Sequence, residues 1–222
     1  MSLRPTAIVL AAGRGTRFLA SGGEIYKQIV PYQGEPVIAR LVRQIQDTGL
    51  FGPTIVVLGD DPDCRASIRD VLSKFDVEFL INEDSTRDNN LLSFLVAIEA
   101  VESPVVLIEA DCIVSSTDLS VMAQDISPSE VRWANIGDVS QYEYGGLVEV
   151  DPSTGRGIYI DVLDRKRFSE FKNAGRFGVK MFGLTSFGDQ ALSTFRSQAN
   201  TLQDKYEKYF YAKTFTHFSS RF

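Results

Sequence analysis

The sequence predicts an α/β fold: a doubly wound, mostly parallel sheet with a β-hairpin extension. Three observations lead there. Over the first half of the 222 residues, β-branched runs alternate with helix-periodic runs across short connections, the pattern of βαβ units. In the second half, short strand-like runs flank the turn signal "DPSTGRG", the mark of a hairpin. Composition is that of an ordinary globular protein, 44% hydrophobic and 23% charged, with no internal repeat and no low-complexity linker. A single domain spanning 1–222 is the simplest organisation.

The elements follow in order. "TAIVLAAG" is a short apolar run ended by glycine, as expected for a strand covered on both faces. In "EPVIARLVRQIQDTG", Val37, Ile38, Leu41, Val42 and Ile45 recur at helical spacing, and Gly49 is placed to close the helix. "PTIVVLGD" is a second strand. "DPDCRASIRDVLSKF" is a helix with proline just inside its start and Ile68, Val71 and Leu72 facing inward. "VEFLIN" is the third strand, "NNLLSFLVAIEAV" a helix, and "PVVLIEAD" a fourth strand ending in carboxylates. "YGGLVEVDPSTGRGIYIDVL" is the hairpin, "FGVKMFGLTSF" a further strand and "GDQALSTFRSQANTL" a further helix.

Several functions are disfavoured at once. The net charge is −6, which disfavours general nucleic-acid binding, because that rests on phosphate neutralisation by lysine and arginine. A small anion in a local basic pocket remains compatible. No stretch approaches the ~18 apolar residues of a membrane span. The N-terminal apolar run meets glycine and arginine at once, so it reads as a strand and not as a secretion signal, and a cytoplasmic location without membrane contact is expected. Cys64 and Cys112 form neither a disulfide framework nor metal-type spacing, and His217 is the one histidine.

Chemistry concentrates in "AIVLAAGRGTRFLASGGEIYKQIVP". In an open α/β sheet, ligands bind at the carboxyl ends of the strands. In the loop after the first strand, backbone N–H groups are free to face an anion. Gly13 and Gly15 allow close approach, Thr16 adds a hydroxyl, and Arg17 and Lys27 add two cations. The loop is not a Walker A sequence, because Gly-Lys-Ser/Thr is missing. As a dinucleotide fingerprint it is poor: Asp60 follows the second strand as an acidic ribose ligand would, but Phe18 stands where a third small residue is needed.

The longer string "LAAGRGTRF", followed by Lys27, resembles the signature of nucleotidyltransferases that activate sugar 1-phosphates and related phosphorylated alcohols. Tyr26 stands where that family has proline. The "GEP" turn with its helix and "PVVLIEAD" extend the likeness over residues 5–190; the last thirty match poorly. The resemblance implies a Rossmann-like, nucleotide-diphospho-sugar transferase-like fold with a nucleotide-binding half (about 5–115) and an acceptor-binding half (about 116–222). It implies that Leu10, Ala11, Ala12, Gly13, Gly15 and Thr16 line the nucleotide, that Arg17 and Lys27 are catalytic, and that Asp111 binds Mg²⁺. "DNNLLSFLVAIEAV" is most similar to cytidylyltransferases acting on phosphocholine and on phosphonates, which adds Asn82, Asn89, Asn90 and Ser93 to the nucleotide set. "KQ" at Lys27-Gln28 resembles the cytidylyltransferase of isoprenoid biosynthesis.

The implied reaction is CMP transfer from CTP to a small phosphorylated or phosphonylated alcohol, with release of pyrophosphate. Uridylyl or thymidylyl transfer to a sugar 1-phosphate, or a nucleotide-binding regulatory module without turnover, are the alternatives. Arg17, Lys27 and Asp111 are all present, which favours an enzyme. Its partners are then a nucleoside triphosphate and a small phosphorylated acceptor, with a homodimer possible. For the acceptor, Trp133 and Tyr144 are candidates, with Tyr142 and Tyr159 nearby, because aromatic rings attract a quaternary ammonium. Trp133 and Tyr159 also read as plain core residues of strands. "DRKRF", 164–168, reads as a solvated loop or as a reach toward acceptor phosphate. One departure stands out. The family's second metal-binding aspartate near the C-terminus has no match here, leaving Asp189, Asp204 or an end outside these residues.

Overall fold

The computed structural model describes residues 4–23, 25–86, 90–102 and 104–202, with the side chains of Thr16, Arg17 and 200–202 outside that description. The first half runs β1 (Thr6–Leu10), α1 (Thr16–Ala20), β2 (Pro31–Tyr32), β3 (Glu35–Pro36), α2 (Val37–Thr48), β4 (Thr54–Leu58), α3 (Pro62–Val71), β5 (Glu78–Ile81), α4 (Leu91–Glu99) and β6 (Val105–Glu109). The second runs α5 (Ser116–Ala123), β7 (Val131–Asp138), β8 (Gly145–Val150), β9 (Gly157–Leu163), α6 (Arg165–Asn173), β10 (Gly178–Phe187) and α7 (Asp189–Leu202). A 3₁₀ turn, Lys27–Ile29, precedes β2.

One eight-stranded sheet spans both halves in the order β5-β4-β1-β6-β10-β8-β9, with β7 beside β10, while β2 and β3 form a separate ribbon. The neighbours β5, β4, β1 and β6 are parallel. β10 is antiparallel to β6, β7 and β8, and β8 to β9. The doubly wound parallel half and the antiparallel hairpin are both present, as the sequence predicts.

Alternation along the central strands explains the two layers. Ala7 and Val9 of β1, Val56 and Leu58 of β4, and Val106 and Ile108 of β6 pack against α2, α3 and α5. Ile8 and Leu10, Ile55 and Val57, and Val105 and Leu107 pack on the other face against α4 and α7. A strand buried on both sides has to be apolar at every position, which is why these runs are unbroken. Phe94, Phe187 and Phe195 close the second layer, with ring centroids 5.1–5.6 Å apart.

Helix ends follow local chemistry. Asp61 caps α3 by accepting from the N–H groups of Asp63 and Cys64, and Pro62 occupies the first turn, where no N–H is needed. Gly49 ends α2 in the left-handed conformation, φ 63°. Six elements go beyond the sequence reading: the short α1, the two strands of the β2–β3 ribbon, α5, held by a Ser115–Asp118 capping box, β7, and α6. The run "DRKRF" is thus the start of a helix capped by Asp164, and Arg167 pairs at 2.6 Å with the buried Asp161. Among the described residues, no helix is long and apolar enough to cross a membrane.

Candidate functional site

The sheet order places a switch point between β1 and β6. From β1 the chain winds outward through β4 to β5, then returns to the other side of β1 as β6. Connections leave these two strands in opposite directions, which opens a crevice beyond their carboxyl ends. The candidate residues gather there.

The wall on the β1 side is the loop Ala11–Gly15. Gln28, 1% exposed, supports it from below, its side-chain amide donating to the carbonyl oxygens of Ala11 and Gly13. Gly15 is left-handed, φ 65°, and a Cβ there would stand 3.1 Å from Cγ of Lys27. Glycine at 15 therefore permits both the turn and the passage of the lysine stem. Having crossed under the loop, the Lys27 Nζ meets Asp111 Oδ2 at 2.8 Å. At the outer edge, Arg14 pairs with Asp60 at 3.0 Å, and Asp60 also accepts from the Ser85 hydroxyl at 2.6 Å. Asp60 is thereby engaged as a brace between the loops after β1, β4 and β5.

The floor is the end of β6. The strand stops at Glu109 and Asp111 lies in the turn beyond it, so no strand alternation relates the two. Even so, ligand atoms of Glu109, Asp111 and Cys112 lie within 4.8 Å of one another. Burial, reinforced by the Asp111 carboxylate, raises the Glu109 carboxyl above the ordinary range, and Lys27, Lys180 and a hydrogen bond from Asn90 oppose that rise. The Asn90 amide donates to Glu109 Oε1 at 3.1 Å. Asn90 holds a left-handed backbone, φ 82°, at the start of α4, a conformation asparagine tolerates better than most residues. Burial pushes the Cys112 thiol far up, which keeps it protonated and inert.

β10 forms the opposite wall. Leu184 pairs with Ile108, and Gly183 lies against Glu109 and Cys112, where a Cβ would come within 2.8 Å of Glu109 Cβ and of Cys112 Sγ. Running antiparallel, β10 overhangs the end of β6 from there, and Lys180 stands on the overhang. Burial lowers the Lys180 ammonium below the usual lysine value, and the Glu109 carboxylate opposes this.

The predicted residues divide accordingly. Lys27, Asp111, Asn90 and the loop residues Ala12, Gly13 and Gly15 meet at the crevice, with Leu10 and Ala11 buried beneath. Asn82 and Ser93, 2% and 1% exposed, hydrogen-bond each other at 3.0 Å and tie the end of β5 to α4. Trp133 lies on β7 opposite Thr185 and packs in the apolar layer with α4 and α7. Tyr144 is 52% exposed, with the Arg165 guanidinium 5.8 Å from its ring centroid. The side chains of Thr16 and Arg17, and all of Asn89 and Asp204, lie outside the described residues. Asp189 is a correction. It follows Phe187, which pairs with Val105 at the start of β6, so it sits at the opposite end of that strand from Asp111. Alternation predicts Glu109 on the face of Asp111, as its partner, were the strand to continue; the strand stops at Glu109, and the turn brings the two together instead. Lys180 is the addition, and nothing in the periodicity of "FGVKMFGLTSF" signals it.

A model of the MobA-like NTP transferase domain matches residues 7–138, more than half of the chain. The chain belongs to this family. Among curated proteins, the MobA-like chain is 26% identical over 173 residues to CMP-5'-(3-aminopropyl)phosphonate synthase of Streptomyces rubellomurinus, covering 76% of this chain and 26% of that protein. It is 33% identical over 92 residues to 2-C-methyl-D-erythritol 4-phosphate cytidylyltransferase of Cereibacter sphaeroides, covering 41% and 39%. It thus spans between a quarter and two-fifths of the length of these relatives. Its fold is shared with CTP:phosphocholine cytidylyltransferase from Streptococcus pneumoniae, with TM-score 0.75, 15% identity, and coverage of 99% and 87%. It is shared also with the inositol-1-phosphate CTP transferase from T. maritima, with TM-score 0.68, 16% identity, and coverage of 99% and 82%.

The donor set fits a hard divalent cation. Mg²⁺ takes oxygen ligands and commonly one or two carboxylates, and Glu109, at the end of β6, and Asp111, in the turn beyond it, offer two. The soft, protonated thiol of Cys112 is no ligand for it.

Proposed function

We propose that this MobA-like chain transfers CMP from CTP to a small phosphorylated or phosphonylated alcohol. The observation that carries this reading is the Lys27–Asp111 contact at 2.8 Å, which joins the glycine loop to the acidic end of β6 in one crevice. The names of the phosphonate and erythritol phosphate relatives, both cytidine-nucleotide enzymes, support cytidine as the base.

In this reading an oxygen of the acceptor's phosphate or phosphonate bonds to the α-phosphorus of CTP. The bond from that phosphorus to the oxygen bridging toward the β-phosphorus breaks, and the electron pair leaves with pyrophosphate. The acceptor oxygen is already ionised near neutrality, so no general base has to remove a proton. Catalysis then rests on positioning and on charge stabilisation. Lys27 supplies a cation beside the α-phosphate, and the amides from Gly13 to Thr16 face the triphosphate. Glu109 and Asp111 would hold Mg²⁺, which when bound neutralises phosphate oxygens. Asn90 fixes the orientation of Glu109, and Gln28 fixes the loop.

Pyrophosphate release from CTP, with 2-aminoethylphosphonate, phosphocholine and glucose 1-phosphate as acceptors, tests the reading. Release that needs one of the first two acceptors supports it. Release only from UTP or dTTP with glucose 1-phosphate overturns the cytidylyl assignment.

A further inference from the structure

Two consecutive carboxylates hold the two ends of the segment that runs from the glycine loop to Lys27. β4 stops at Leu58, and Gly59, Asp60 and Asp61 follow it. Gly59 lies so close to its neighbours that a Cβ there would stand 2.6 Å from the Ala12 carbonyl oxygen and 2.8 Å from Ser85 Oγ. Asp60 receives Nη2 of Arg14 on both carboxylate oxygens, at 3.0 and 3.1 Å. Asp61 receives the Tyr26 hydroxyl on Oδ1 at 3.4 Å. Arg14 is the residue between the two loop glycines, and Tyr26 is the residue before Lys27.

Both carboxylates are fixed independently of that segment. Asp60 Oδ1 accepts from the Ser85 hydroxyl at 2.6 Å, and the Asp60 N–H donates to the same hydroxyl at 2.9 Å. Asp61 Oδ1 accepts from the N–H groups of Asp63 and Cys64 at 3.1 and 3.0 Å, as the cap of α3. Between the two anchors Phe18, Leu19 and Ile25 stand at the surface, so they do little to fix the path of the segment. Tyr26 packs on the first core layer as well.

The anchors matter because Lys27 lies against both. Its stem passes the glycines that flank Arg14: a Cβ at Gly15 would stand 3.1 Å from its Cγ, and one at Gly13 would stand 3.8 Å from its Nζ. Slippage at either anchor therefore changes the distance from the Lys27 ammonium to the loop amides. In the proposed function these are the groups that face the triphosphate. A misplacement of about 1 Å can cost about 10²-fold in rate.

We propose that Asp60 and Asp61 form a two-point clamp, Asp60 acting through Arg14 and Asp61 through Tyr26, and that both are positioning residues for Lys27. This rests on the nucleotidyl-transfer reading. It adds that the end of β4, which touches no reacting atom in that reading, sets the spacing between the phosphate-facing amides and the lysine.

The test uses the full chain with Arg14→Met, Asp60→Asn, the two combined, Arg14→Lys and Tyr26→Phe. Asparagine keeps an acceptor for Ser85 and loses the charge that holds Arg14. Arg14 and Asp60 are 44% and 24% exposed at their side chains, so each melting temperature should stay within about 3 °C of wild type. The kcat for CMP transfer to 2-aminoethylphosphonate or phosphocholine should fall about 10-fold in both Arg14→Met and Asp60→Asn, with the acceptor KM within about twofold. A charge acting on the triphosphate from a distance would move these variants in opposite directions, because one loses a cation and the other an anion. Loss of position moves both down. The combined variant should be no slower than either single one, since both remove the same contact. Arg14→Lys should recover part of the loss. Tyr26→Phe should lower kcat about twofold to fivefold, as the loss of one hydrogen bond between neutral and charged groups at long range. Opposite changes in Arg14→Met and Asp60→Asn, a combined variant that falls by the product of the two, or wild-type kcat in either overturns the clamp. Wild-type kcat in Tyr26→Phe overturns its Asp61 half. Wild type that turns over neither acceptor overturns both this proposal and the reading beneath it.

Discussion

Lys27 and Asp111 stand 84 positions apart in the chain and meet at 2.8 Å. The lysine arrives under Gly15, the aspartate from the turn after β6, and neither element touches the other without the crevice between β1 and β6. The pair is solvent-accessible, with side-chain exposures of 31% and 39%, so it adds only about 0–1 kcal/mol to stability. Lys27→Met should therefore melt near wild type while cytidylyl transfer falls about 10²–10³-fold, the usual cost of one charge-stabilising donor. Melting curves and pyrophosphate-release rates on the same preparations check this.

Glu109 gives a pH signature. Its carboxyl is raised in the folded state, first by burial and then by Asp111. A raised carboxyl stabilises the fold relative to neutral pH only while it is protonated. That benefit is complete below the unfolded value of about 4.3 and is lost as pH climbs through the higher folded value. Glu109→Gln removes the ionisation and keeps an acceptor for Asn90. The variant should melt above wild type at pH 8, and the difference should vanish near pH 4. A lower melting temperature at pH 8 would show that Glu109 is held there as a favourable anion.

Gly183 keeps β10 close to the acidic floor. Gly183→Ala drives a methyl into Glu109 Cβ and Cys112 Sγ, each 2.8 Å away. Overpacking of this kind costs about 1–3 kcal/mol. Denaturant titration should show that loss, with a fall in turnover because Glu109 is displaced.

Gln28 is the support of the glycine loop. Gln28→Leu keeps the volume but leaves the Ala11 and Gly13 carbonyls without their donor. Ala11 is buried but Gly13 is exposed, and the substitution also removes the unpartnered buried Oε1 of Gln28, so the loss should fall at the low end of about 1–3 kcal/mol. The KM for the nucleotide should rise more than that for the acceptor, since the disturbed wall is the one the proposed function assigns to the triphosphate.

The parallel half was legible in the sequence because its strands are buried on both faces and read as unbroken apolar runs. Helix α2 was legible because every inward position, from Val37 to Ile45, is apolar. β7 was not: in "VRWANIGD" the polar residues interrupt alternation, and its pairing with β10 shifts register twice. α6 buries only Phe168 and Phe171, too thin an apolar stripe to stand out from a charged loop. In the site, Lys27 and Asp111 were readable because Lys27 completes the motif that opens at the end of β1 and Asp111 closes the acidic run after β6. Lys180 was hidden, because its place depends on how far β10 overruns β6, and that is set by pairing register rather than by local pattern.

The central claim is that the crevice binds CTP through a metal-assisted triphosphate site. A thermal-shift panel with CTP, UTP, dTTP, GTP and ATP, each with and without Mg²⁺, tests it most directly. A ligand at a hundredfold excess over its Kd adds about 2.7 kcal/mol to the folded state. For a chain of this size that is a rise of about 5–10 °C. The account predicts such a rise for CTP, dependent on Mg²⁺, and smaller shifts for the other four. No shift with any of the five, or a larger shift with another nucleotide, would contradict it.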